Sequence, residues 1–271
     1  MRRASWRSVA MTCRPPSVCT PAGIAAAFAA EGADVIAVAR SADALATLAD
    51  RIGCATAVFD AASADDVAGF IDRIEAEHGP IDVLVNNAGV EVNGMFEAID
   101  EADIERVIDI NLVTPQRLTR QMLPGMLERG RGHLVFTSSV AATTGNPSMA
   151  VYSASKGGLT RFAESVRIEL ADDGIGVTIL HLGPIATSMW DRLEAIDGNQ
   201  AGLERGKKMG ALDVGSVEEV ADATIEAVRK GKREVRIPKK TALMPMLNGM
   251  GTRLTELVYR GIDWRAEHGR R

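Results

Sequence analysis

From Gly23 onward, short runs rich in β-branched residues alternate with stretches of helical periodicity. The runs Asp34–Ala39 (DVIAVA), 56–59, 81–85 (IDVLV), 133–137 (HLVFT), 177–182 (VTILHL) and Glu234–Ile237 (EVRI) predict strands. Between them the apolar spacing turns helical. Residues 103–128 are the longest helical stretch. Residues 216–230 are the best bounded, with Ser216 as N-cap, Glu219 three residues on and Gly231 as the stop. This alternation makes βαβ units, so the fold class is α/β: one doubly wound parallel sheet, with ligands bound beyond the carboxyl ends of its strands.

The start of the chain breaks the pattern. A helix is predicted from Thr20, as N-cap, with Pro21 in its first turn and Gly32 as its stop. Before it only Ser8–Thr12 (SVAMT) is apolar enough for a strand, so the first strand is expected to be poor or missing and residues 1–21 to be an aberrant or disordered segment preceding a domain over 22–271. Residues 1–21 hold two of the three cysteines, four arginines and three of the ten prolines. Off-frame reading of GC-rich DNA has this composition, as does a diverged or mobile segment.

A length of 271 residues, 46% of them hydrophobic, suffices for one substantial core. The formal net charge of −5 offers no basic stripe, which excludes nucleic acid as an expected partner. No apolar run approaches the ~20 residues of a membrane span, and Arg2, Arg3 and Arg7 lead into no apolar signal core. A cytoplasmic location is expected. Cys13, Cys19 and Cys54 lack metal-ligand spacing, so no metal is expected.

The chemistry collects at strand ends. Asn86-Asn87-Ala88-Gly89 follows one strand and Ser138-Ser139 the next; Tyr152 stands thirteen residues past Ser139, and Lys156 four further on. Hydride transfer to a carbonyl leaves an alkoxide that needs a proton, which a phenol supplies if its pKa of ~10 is drawn down. Lys156, one helical turn from Tyr152, would favour the phenolate. Ser139 would donate a hydrogen bond to the developing oxyanion.

This combination, with Asn111 in the intervening helix, resembles the short-chain dehydrogenase/reductase family over residues 23–238. The resemblance implies a Rossmann-type fold and an oxidoreductase with Tyr152 as acid/base, Lys156 as its partner and as a ligand of the nicotinamide ribose, Ser139 as oxyanion donor and Asn111 as holder of a relay water. It also implies Asp60 at the adenine amine, Asn86, Ala88 and Gly89 along the adenosine wall, and Thr187 near the nicotinamide amide. Leu182 stands where the family usually has proline. Arg40 directly follows DVIAVA with no acidic neighbour, so it would clamp a 2′-phosphate, favouring NADP with NAD possible.

The family's Thr-Gly-x-x-x-Gly-x-Gly phosphate loop falls on residues 14–21, where Pro15, Cys19 and Pro21 replace all three glycines. Proline has neither the conformational range nor the N–H that cradle a pyrophosphate. The alternative function is therefore a non-catalytic subunit or scaffold that keeps the fold.

Residues 188–215 are expected to form a lobe over the substrate, with Met189, Trp190 and Leu193 lining a site for a lipophilic carbonyl or alcohol. The extension 239–271 mixes methionine, leucine and basic residues, suited to a subunit contact or to weak membrane-surface contact. The family resemblance implies a homodimer or homotetramer.

Overall fold

The computed structural model describes residues 8–12, 20–187 and 213–238. Seven parallel strands form one sheet in the order β3-β2-β1-β4-β5-β6-β7. They are β1 (Ser8–Thr12), β2 (Asp34–Ala39), β3 (Ala55–Val58), β4 (Val83–Asn86), β5 (Gly132–Ser139), β6 (Ile175–Leu182) and β7 (Glu234–Ile237). Side chains alternate along each strand into two cores. Val9, Met11, Val35, Ala37, Val83 and Val85 pack with helices α1 (Thr20–Ala30), α2 (Ala42–Ile52) and α8 (Val217–Lys230). Ala10, Ile36, Leu84 and Phe136 face the opposite layer: α3 (Ala64–Val67), α4 (Phe70–His78), α5 (Glu101–Ile108), α6 (Thr114–Arg129) and α7 (Ala150–Glu169). With both faces covered, strands read as continuous apolar runs.

β1 corrects the expectation of a poor or missing first strand. All five residues pair with β2, from Ser8 with Asp34 to Thr12 with Val38, and Val9 to Met11 also pair with Val83 to Val85 of β4. Val9 and Met11 are fully enclosed. Two apolar residues on one face and a small one on the other satisfy a position whose pairing both neighbours supply. Of residues 1–21, only Ser8–Thr12, Thr20 and Pro21 are described, the last two as the first turn of α1. Residues 14–19 of the expected phosphate loop, Met189, Trp190 and Leu193, and the extension 239–271 lie outside the described residues.

The helix expected over 103–128 is in fact three pieces. α5 gives way to a single π turn, Asp109–Val113, before α6 begins. Pro115 brings no N–H to the carbonyl four residues back, that of Asn111, so a regular α ladder fails there. The helix over 217–230 carries the full capping box of Ser216 and Glu219, and Gly231 closes it in the left-handed conformation.

α1 and α8 meet at Gly23, where an added Cβ would run into the Val217 Cγ1 methyl. Gly23→Leu is expected to lower the unfolding free energy by about 2–3 kcal/mol, and Val217→Ala in the same chain to recover part of that loss. Urea denaturation checks both; an equal loss with and without Val217→Ala would contradict the contact.

Candidate active site

β5 ends at Ser139. Its hydroxyl accepts from the Ala141 N–H at 3.2 Å, capping the short turn that follows, and donates to the Leu182 carbonyl of β6 at 3.1 Å. α7 then returns over the same strand end. Lys156 Nζ donates to the Thr137 carbonyl at 2.8 Å, and the Ser138 hydroxyl donates to the Lys156 carbonyl at 3.2 Å. Tyr152, one turn earlier, lies with its ring centroid 5.8 Å from Lys156 Nζ and hydrogen-bonds Ser139. Ser139, Tyr152 and Lys156 are thus brought together.

The electrostatics differ from the simple expectation for the tyrosine. Burial pushes the Tyr152 phenol up to about 12; the Ser139 hydrogen bond opposes the rise and the Glu91 charge adds to it. Burial likewise lowers Lys156 to about 8. Lys156 does not draw the phenol down here, because both groups are removed from water and the ammonium is turned toward the Thr137 carbonyl.

Asn111 sits in the π turn with no solvent exposure. Its side chain accepts from the Val90 N–H and donates to the Val90 carbonyl, both at 2.8 Å, and donates to the Ser155 hydroxyl at 2.9 Å. Ser155 in turn donates to the Tyr152 carbonyl at 2.7 Å. One continuous chain of bonds therefore joins the loop after β4 to the turn of α7 that carries Tyr152. Ser155 escapes a reading of the sequence, since a serine inside a helix carries no signal of its own. Asn87 carries no expected role within its motif; its Oδ1 accepts from the Thr137 hydroxyl at 2.8 Å.

The expected cofactor residues line the same edge. Asn86 ends β4 with its side chain 3% exposed, and neither Oδ1 nor Nδ2 has a hydrogen-bond partner among the described residues. Two unmet buried amide atoms fit an adenosine whose polar edge would meet them. Ala88 and Gly89 continue the wall, half-buried; a Cβ on Gly89 would lie 3.2 Å from Lys156 Nζ and 3.4 Å from Asn111 Oδ1. Only a glycine leaves that crevice open. Arg40 follows β2, exposed. Asp60, half-buried, accepts from the Ala62 N–H at 3.0 Å, while its own N–H donates to Asp66 Oδ2 at 2.8 Å. Thr187 follows β6 and donates to the Ile185 carbonyl at 3.2 Å. Among the described residues no group of His, Cys, Asp and Glu is arranged to hold a metal ion.

Comparison with known proteins agrees with this geometry. Residues 22–197 match the short chain dehydrogenase family. Ketoacyl reductase HetN of Nostoc sp. is 30% identical over 251 residues, covering 88% of this chain and 83% of its own. The 3-oxoacyl-[acyl-carrier-protein] reductase FabG of Escherichia coli is 33% identical over 205 residues, 74% of this chain and 81% of its own. A short-chain dehydrogenase from Streptomyces avermitilis superposes with a TM-score of 0.78 at 27% identity, covering 97% of this chain and all of that one. The chain belongs to the short-chain dehydrogenase family of NAD(P)-dependent oxidoreductases.

Proposed function

We propose that this chain moves a hydride between NADP(H) and a ketone or alcohol on a lipophilic molecule, of the kind that ketoacyl reductases act on. The observation that carries this is the convergence of Ser139, Tyr152 and Lys156 on one strand end beside the unmet amide of Asn86. The nicotinamide, when bound, supplies the hydride pair that adds to the carbonyl carbon. Asn86, Ala88, Gly89 and Asp60 would hold the adenosine half of the cofactor, Thr187 its nicotinamide amide and Arg40 its 2′-phosphate.

The protein's part is proton supply and charge stabilisation. With its pKa near 12, Tyr152 is a phenol at neutral pH and has a proton to give to the carbonyl oxygen as the π bond breaks. The Ser139 hydroxyl, now spent on the Leu182 carbonyl, rotates to donate to that oxygen. Lys156, with one hydrogen on Thr137, turns its remaining hydrogens to the ribose and Tyr152. Asn111, locked by its three bonds, keeps the relay side of Tyr152 in place.

A second reading, a non-catalytic subunit, is favoured by the prolines at positions 15, 16 and 21. Titration with each nicotinamide cofactor separates the two. NADPH is expected to bind about tenfold or more tightly than NADH, and Arg40→Ala to erase most of that difference. No binding of either cofactor by the folded chain favours the subunit.

Tyr152 is one of two tyrosines. In an alkaline absorbance titration of the cofactor-free chain, the signal lost in Tyr152→Phe is expected to have its midpoint well above 10. A midpoint at or below 10 would contradict the rise that burial imposes on this phenol.

A further inference from the structure

The three residues that close β5 all carry hydroxyls, and each hydroxyl goes to a different part of the fold. Thr137 donates to Asn87 Oδ1 in the loop after β4 at 2.8 Å, Ser138 to the Lys156 carbonyl of α7 at 3.2 Å, and Ser139 to the Leu182 carbonyl of β6 at 3.1 Å. Ser139 has its part in the chemistry. Ser138, 2% exposed, has none so far.

Ser138 does not act alone. Its hydroxyl oxygen lies 2.7 Å from that of Thr160, one turn after Lys156 on α7 and likewise buried. A serine hydroxyl has a single hydrogen, and a carbonyl can only accept it, so with Ser138 donating to Lys156 it is Thr160 that donates to Ser138. The relay therefore runs from Thr160 through Ser138 to Lys156, with every hydrogen placed. The layer it crosses is built of Phe136, Ile179, Leu159 and Ala163. Valine and alanine would fill the two positions and leave no hydroxyl to satisfy. The helix does not require the relay either, because inside a continuous α-helix the Lys156 carbonyl has the Thr160 N–H as its own ladder donor.

What the relay adds is position. Lys156 is gripped by two consecutive residues of β5, its ammonium by the Thr137 carbonyl at 2.8 Å and its carbonyl by the Ser138 hydroxyl. The first bond ends a flexible four-carbon stem. The second is made by the helix backbone itself, so it limits how far α7 can slide along β5 while the first is kept. Tyr152 rides on the preceding turn of the same helix and hydrogen-bonds Ser139, the residue after Ser138.

We propose that Ser138 and Thr160 are positioning residues, whose hydroxyl relay sets the height of α7 on β5 and so the approach of Tyr152 to Ser139 at which proton transfer is fast. The role rests on the oxidoreductase reading and extends it to two residues that act only through Lys156 and Tyr152.

The test measures kcat and KM with NADPH and a 3-oxoacyl thioester for the full chain, Thr160→Val, Ser138→Ala and the double variant, with kcat expressed per folded chain by circular dichroism. Thr160→Val keeps the side-chain shape and removes the donor. It is expected to lower kcat by about tenfold with KM within about twofold of wild type, because reaction geometry shifts while the binding groups stay. Thr160→Ser, which returns the hydroxyl, is expected to recover most of kcat. Since the two hydroxyls work as one relay, the double variant is expected to lose no more than Ser138→Ala alone. If Thr160→Val does not fold, Ser138→Ala carries the comparison by the same criteria. A merely structural role lowers the urea midpoint and leaves kcat per folded chain unchanged. That result, additive losses in the double variant, or no recovery in Thr160→Ser overturns the positioning role while leaving the oxidoreductase standing. No reduction by the folded wild type overturns both.

Discussion

The bond from Lys156 Nζ to the Thr137 carbonyl, 2.8 Å long and cut off from solvent, is the contact on which the site depends. An ammonium removed from water without a partner would cost several kcal/mol, and this carbonyl is its described partner. Satisfying it pins α7 to the end of β5. Because Tyr152 lies one turn earlier on the same helix, its distance from Ser139 is set by the same bond. Gly89 follows from it too, since any side chain there would press on the ammonium.

The sheet explains why these groups meet. All seven strands are parallel, so Asn86, Ser139 and Leu182 emerge at one edge, and the loops that follow them share a single crevice. β5 is held along its full length by β6, which makes its end a firm platform. The π turn carries the amide of Asn111, which is directed at the backbone of the loop after β4. Through Asn111, Ser155 and Val90, the loop after β4 and the turn of α7 that carries the tyrosine are tied together.

Much of this was legible in the amino-acid order, for physical reasons. Strands buried on both faces are apolar throughout, and Ser216, Glu219 and Gly231 state the limits of α8 in cap chemistry. Tyr152 and Lys156 are readable because a helix sets four-residue neighbours on one face. The π turn was not, since Pro115 is its one trace and a proline in a first turn is commonplace. The place of β1 was legible as Ser8–Thr12, but its soundness was not, because its stability comes from the ladders of β2 and β4 rather than from its own five residues. The rise in the Tyr152 pKa depends on burial and on Glu91, neither of which spacing reveals.

On the proposed function, a chain with proline and cysteine at the phosphate-loop glycine positions still transfers hydride with Tyr152 as the acid. Incubation of the chain with NADPH carrying deuterium at the transferable C4 position and a 3-oxoacyl thioester, followed by mass spectrometry of the alcohol, tests it most directly. One deuterium is expected on the carbinol carbon, formed by the wild type and slowed by about 10²-fold or more in Tyr152→Phe, as loss of a general acid requires. No deuterated alcohol from a folded wild-type chain, or equal rates from both chains, would contradict it.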